Sequence, residues 1–318
     1  MLRDGYDVRT TVRDPAREPE VSKAVARQID PAGRLSFSKA DLLDDDGWPA
    51  AVAGCDYVLH VASPFPPTQP KDPDDLIVPA REGTLRVLKA SLDAGVRRIV
   101  VTSSIAAVER AAGSPPGQVL DEDDWTDPAS PKVSPYAKSK TIAERAAWDL
   151  VERSGDRERL AVVNPGAIIG PVLSTDRSFS IQLVERMLKG VPAVPKLGYS
   201  VVDVRDVAAL EIAAMTAPEA GGKRFIGIAE FAWMSQIAET LRAKLGDDAK
   251  KVPRFTAPNF LVKAMGLFDP SVRSITGQLG LKTTYSADRA KSTLGWQPRP
   301  VEESVVDCAR SLIELGVV

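Results

Sequence analysis

The sequence predicts an α/β protein, built as a doubly wound parallel sheet with a smaller C-terminal lobe. Short β-branched runs alternate with longer amphipathic stretches through the first half of the chain, the pattern of parallel strands joined by crossover helices. Several of these runs leave through small or proline-bearing segments, such as His60-Val61-Ala62-Ser63-Pro64 and Asn164-Pro165-Gly166, which suit tight strand exits. No internal repeat or long low-complexity linker breaks the pattern, and 318 residues suffice for one large unit or two interleaved lobes.

Strands are predicted at residues 7–12, 35–39, 57–61, 98–102 and 160–164, most of them short runs rich in Val, Ile, Thr or aromatics. Helices are predicted at 76–94 and 135–153. The second opens with Ser134-Pro135, an N-cap followed by a first-turn proline. Beyond Gly166 the pattern loosens. Residues 178–189, 204–216, 234–245 and 301–315 read as helices, and 200–203 and 224–228 as extended. Residues 66–70 and the acidic, proline-bearing stretch 121–135 read as surface loops, the second lying just before the helix at 135. This divides the chain into a first domain over 1–165 and a mainly separate lobe over 166–318, with 200–230 returning to the first sheet.

Composition excludes several function classes. A formal charge of −2 and a pI near 5.7 leave no electrostatic footprint for nucleic acid or anionic membrane. No apolar run approaches the ~18 residues of a spanning helix, and the first residues lack the apolar stretch of a secretory leader. Cys55 and Cys308 are lone thiols without metal-type spacing, which suits a reducing cytoplasm. The single histidine, His60, closes an apolar run and has no partner motif. The expectation is a cytoplasmic monomer or homodimer that acts on a small molecule without a metal.

Tyr136 and Lys140 stand four residues apart in Tyr136-Ala137-Lys138-Ser139-Lys140. On a helix, positions i and i+4 share a face, so a phenol and an ammonium stand side by side. Upstream, Val101-Thr102-Ser103-Ser104 delivers hydroxyls from a strand end. This constellation resembles the catalytic Ser-Tyr-Lys set of the short-chain dehydrogenase/reductases. Its surroundings resemble the extended, Rossmann-like branch that holds dihydroflavonol reductases, cinnamoyl-CoA reductases and NADPH-dependent aldehyde reductases. The resemblance implies reduction of an aldehyde or ketone to an alcohol by hydride transfer. Tyr136 is then the general acid, Ser104 binds the carbonyl oxygen, and Lys140 tunes the phenol and meets the nicotinamide ribose. An ammonium ~4–5 Å from the phenol at an effective dielectric of ~20 favours phenolate by ~3–4 kcal/mol, which predicts a phenol pulled towards working pH.

The same resemblance assigns further residues. Arg13, in Thr11-Val12-Arg13-Asp14-Pro15, suits the 2′-phosphate of NADP, so NADPH is expected rather than NAD. Asp41 and Leu42 match the pair that faces the adenine. Val61, Ala62 and Ser63, and then Pro165, Gly166 and Ala167, match small segments that let backbone approach the cofactor. Phe65, Ile105, Trp125, Val172, Ser180, Leu183 and Tyr199 fall where relatives line the substrate pocket; most are apolar, which implies a carbonyl with a hydrophobic or aromatic body. Residues 202–208 and 285–298 match the family's second-lobe elements and read as structural, Asp203 and Arg205 fixing a turn.

One departure stands at the front. Residues 2–15 look like the end of a first helix, a glycine turn and the second strand, so the first strand and its glycine-rich loop are expected upstream, roughly 20–25 residues by typical element lengths. Without them the flanking strands would stand ~9–10 Å apart, and the activity of the 318 residues as written is in doubt. Two other readings share the motif: a nucleotide-sugar epimerase or dehydratase, or a steroid dehydrogenase/isomerase. A third, from another class, is a catalytically silent dinucleotide sensor. Arg13 and the apolar candidates speak against sugar nucleotides, and intact Ser104, Tyr136 and Lys140 speak against the sensor.

Overall fold

The computed structural model describes residues 1–64, 72–109, 117–175 and 178–318. The first half runs β1 (Val8–Val12), α1 (Glu18–Ala26), β2 (Leu35–Lys39), α2 (Trp48–Val52), β3 (Tyr57–His60), α3 (Asp74–Asp93), β4 (Arg98–Thr102), β5 (Val119–Leu120), α4 (Pro135–Ser154) and β6 (Leu160–Pro165). There follow β7 (Ala167–Ile169), α5 (Phe179–Lys189), β8 (Val194–Pro195), β9 (Gly198–Asp203), α6 (Val204–Thr216), β10 (Lys223–Gly227), β11 (Glu230–Trp233) and α7 (Met234–Leu245). The chain ends with β12 (Thr256–Ala257), α8 (Asn259–Met265), α9 (Pro270–Ile275), β13 (Thr284–Tyr285), α10 (Asp288–Leu294) and α11 (Val301–Glu314).

A parallel sheet in the order β10-β6-β4-β3 forms the centre. Its central strands β4 and β6 are nearly continuous apolar runs because helices cover both faces. In β4, alternate side chains take opposite sides. Ile99 and Val101 pack with Leu88, Trp148 and Val151 of α3 and α4, while Val100 packs with Leu210 of α6 and Phe225 of β10. β1 and β2 form a separate two-stranded parallel ladder, with Val8 opposite Leu35 and Val12 opposite Lys39. Among the described residues no ladder joins β1 to β3.

After β6 the chain leaves the sheet through Gly166. A Cβ there would sit 2.2 Å from the Ser200 carbonyl oxygen of β9, so the backbone of the small β11-β9-β7 sheet leaves no room for a side chain. Behind that sheet, α5, α7 and α11 close over Val184, Met187, Val201, Ile237, Leu241, Val305 and Leu312. Asp203 ends β9 and caps α6 by accepting from the Arg205 amide at 2.8 Å, while the Arg205 side chain grips the same carboxylate. No helix among the described residues is long and apolar enough to cross a membrane.

Candidate active site

The carboxyl ends of β3, β4 and β6 meet the first turns of α4. That helix starts where the sequence says it should: Ser134 is extended and accepts from the Ala137 amide at 3.1 Å, with Pro135 in the first turn. Tyr136 and Lys140 therefore occupy successive turns of one face. The Tyr136 and Ser104 hydroxyls share a hydrogen bond. Ser104 follows β4 in extended backbone, and its oxygen also accepts from the Ala106 amide at 3.1 Å, capping the turn Ile105–Ala107. Lys140 is only 8% exposed, and its Nζ donates to the Thr102 carbonyl at 3.4 Å.

Electrostatics departs from the expectation for the phenol. Burial pushes Tyr136 above its ordinary value, opposed by the bond with Ser104, so the net shift runs opposite to the downward pull anticipated from the ammonium. Desolvation of a charge outweighs attraction when the neighbouring cation is itself turned towards a strand carbonyl. Burial also lowers Lys140 to about 8, with the Glu144 carboxylate acting against that fall.

His60, at the end of β3, is 6% exposed and lies within 3.4 Å of the Thr84 hydroxyl. Burial, and secondarily the charge of Lys140, bring its pKa down from 6.5 to about 4. Between those values the unfolded chain binds a proton that the native state refuses, so stability is full above about 6.5 and falls as the pH drops towards 4. The expected loss from this residue is about 3 kcal/mol. Urea midpoints at pH 7 and at mildly acidic pH should show it, and His60→Gln should flatten the dependence; an equal slope in the variant would contradict the assignment.

The expected cofactor residues lie at or after the carboxyl ends of β1, β2, β3 and β6. Arg13 is exposed just past β1 and makes no hydrogen bond or ion pair among the described residues, whereas Asp14 is engaged as an N-cap, accepting from the Ala16 amide at 2.9 Å. Asp41 also serves the backbone: its side chain accepts from the Leu43 amide at 3.0 Å and its carbonyl from Trp48 Nε1 at 2.9 Å. Leu42 packs beside Ala40, Trp48, Ala51 and Val87. Val61 and Ala62 are exposed beyond β3, and Ser63 is half-buried. Pro165 is buried, with Gly166 and Ala167 half-buried.

The expected substrate residues disperse. Phe65 lies outside the described residues. Ile105 packs on the core between the sheet and α6. Trp125 is stacked by guanidinium groups, Arg224 at 3.7 Å and Arg145 at 5.1 Å from its ring centre. Val172, Leu183 and Tyr199 border the second-lobe core, and the buried Ser180 hydroxyl donates to the Ile168 carbonyl at 2.5 Å.

Sequence reading missed Glu144, Asn164 and Arg224, buried polar residues packed directly behind Ser104 and Lys140. Glu144 had a legible signal, since it continues the helix face of Tyr136 and Lys140 by one more turn. Arg224 had none, because its contact spans 80 residues of sequence.

A family profile described as the NAD dependent epimerase/dehydratase family matches residues 1–228. Cinnamoyl-CoA reductase 1 of Petunia hybrida is 32% identical over 320 residues, covering 99% of this chain and 87% of its own. Anthocyanidin reductase of Vitis vinifera is 33% identical, covering 81% of this chain and 77% of its own. Among solved structures, yeast methylglyoxal/isovaleraldehyde reductase Gre2 complexed with NADPH superposes with a TM-score of 0.81 at 25% identity, over 100% of this chain and 94% of that one.

Proposed function

This chain belongs to the NAD dependent epimerase/dehydratase family, and on that premise we propose that it reduces an aldehyde or ketone to the alcohol with Tyr136 as general acid. It is an NADP-dependent oxidoreductase, and NADPH, when bound, supplies the hydride that adds to the carbonyl carbon. The Tyr136 hydroxyl gives its proton to the carbonyl oxygen as charge builds there, and the Ser104 hydroxyl, already bonded to that phenol, holds the oxygen in line. The observation that carries this reading is the Tyr136–Ser104 hydrogen bond set one helical turn from a buried ammonium.

The residues present suit the dinucleotide. Lys140 has three donors and spends one on Thr102, which leaves two for ribose hydroxyls. Arg13 is exposed and uncommitted, while Asp14 is occupied by the turn after it; a guanidinium without a competing carboxylate suits a 2′-phosphate. Within this proposal residues 1–165 hold the dinucleotide and 166–318 mainly the substrate, with β10 lying in the first sheet. A carbonyl with an apolar body is in keeping with relatives named as reductases of cinnamoyl-CoA and of methylglyoxal/isovaleraldehyde.

Turnover of a panel of aromatic and aliphatic aldehydes and ketones, followed by nicotinamide absorbance with each cofactor, tests the proposal. NADPH oxidation that depends on a carbonyl is expected, and no turnover across the panel despite stoichiometric NADPH binding would refute it. In the same assay Arg13→Ala should lower kcat/KM for NADPH by roughly 10- to 100-fold, the weight of a charge-assisted phosphate contact, and leave NADH nearly unchanged. An equal loss with both cofactors would remove Arg13 from phosphate recognition.

A further inference from the structure

We propose that Glu144 is the positioning residue of this site: a single buried carboxylate that locks the Ser104 turn, the β6 exit and α4 together and supplies the negative charge opposite Lys140. Only the kinetic readout of this proposal rests on the carbonyl-reductase reading.

Glu144 is 1% exposed. Its Oε2 accepts from Ser103 Oγ at 2.5 Å and from Asn164 Nδ2 at 2.8 Å. Its Oε1 accepts from Arg224 Nε at 2.6 Å and, more distantly, from Trp148 Nε1 at 3.5 Å. The Asn164 amide also donates to the Ser104 carbonyl at 3.1 Å, so the backbone that presents the Ser104 hydroxyl is held from two directions by one anion. Arg224 carries the lock outward, donating to the Glu122 and Asp124 carbonyls at 2.8 Å each. The ends of β4 and β6 and Arg224 of β10 thus converge on a side chain of the same helix that presents Tyr136, and Arg224 ties a loop to them.

A buried ion pair is a poor way to gain stability, because apolar residues of similar volume often serve as well. Its presence here is better explained by another role, and the surroundings of Lys140 supply one. Glu144 on its own helix and His60 on β3 interact with that ammonium. Tyr136 stands one helical turn before it, and Glu211 on α6 is bonded to the side chain of Thr102, whose carbonyl Lys140 holds. His60 is held neutral by burial and the phenol is protonated. Burial raises the Glu211 carboxyl, against the lowering effect of its bond with Thr102. Glu144, one helical turn beyond Lys140, favours the ammonium, and Arg224, bonded to Glu144 at 2.6 Å, weakens that help. Losing one or the other should therefore move Lys140 in opposite directions.

That opposition gives the test. Protein is produced with ¹³C,¹⁵N-labelled lysine, the Lys140 Cε resonance is identified by its loss in Lys140→Arg, and its titration is followed by NMR beside the pH profile of kcat/KM with NADPH. Glu144→Gln keeps the shape and removes the charge, and should lower the Lys140 midpoint from near 8 by on the order of one pH unit. The alkaline limb of kcat/KM should move with it. Arg224→Gln should raise the midpoint instead. A purely structural lock would loosen in both variants and move both midpoints up towards that of free lysine. Midpoints that move the same way or not at all, or a wild-type midpoint already near that of free lysine, would overturn the proposal. Absence of carbonyl turnover would strike the reductase reading alone, since the NMR titration does not depend on it.

Discussion

Tyr136→Phe is expected to lower kcat by about 10² or more while NADPH still binds. The substitution keeps the ring and removes the one hydroxyl placed against Ser104. Its effect should exceed that of removing any single contact to the cofactor, because the lost group acts on the atom whose charge changes during reaction. Burial strengthens the argument in one direction. A phenol raised above its ordinary value is fully protonated at neutral pH and ready to donate, but is a poor base precursor for the reverse step. Reduction of the carbonyl should therefore outrun oxidation of the alcohol near neutrality, with oxidation gaining as the pH rises. Steady-state kinetics in both directions, with NADPH affinity from fluorescence titration, decides this. A Phe variant with undiminished turnover would exclude the phenol from the reaction.

Much of this arrangement is written locally in the sequence. The central strands are legible because strands covered on both faces must be apolar throughout, as Ile99-Val100-Val101 and Leu160-Ala161-Val162-Val163 are. The start of α4 is legible because its cap is chemical: Ser134, then Pro135. The expected helices at 178–189, 204–216, 234–245 and 301–315 lie within a residue or two of α5, α6, α7 and α11. What escaped were elements that long-range contact creates. The two-residue ladders Val119–Leu120 with Thr284–Tyr285, and Val194–Pro195 with Thr256–Ala257, have no period of their own to read. The short helices Glu18–Ala26 and Trp48–Val52 bury too narrow a face to stand out.

The site divides along the same line. Tyr136 and Lys140 lie on one helix and follow from spacing, and Glu144, which sequence reading missed, continues the same spacing; Arg224 and Asn164 reach Glu144 only through sheet order. The phenol's electrostatics failed for a related reason. Spacing gives a distance between charges, but not how much water each loses, and here desolvation governs both Tyr136 and Lys140.

Lys140 offers the second large effect, and an unusual pairing of outcomes. Lys140→Met should reduce kcat/KM by about 10² or more and at the same time stabilise the fold. The native ammonium titrates at about 8 against 10.5 for the free side chain. Between those values the unfolded chain holds the extra proton, so native stability rises with pH across that window. Below about 8 both states are protonated and the native state carries the whole penalty, about 3 kcal/mol. Methionine fills similar space without a charge to desolvate. It forfeits the 3.4 Å bond to Thr102, so a net gain of about 1–3 kcal/mol is expected at neutral pH, with a rise in Tm of several degrees. The gain should shrink as the pH is raised through 8 towards 10, because the wild type then sheds its penalty. A buried cation maintained at this expense has its justification in chemistry rather than in folding. Thermal unfolding of both proteins at neutral and alkaline pH, set beside their turnover, separates the two roles. A Met variant that is inactive and also less stable would show that the ammonium holds the structure together, and the catalytic role assigned to it would lose its support.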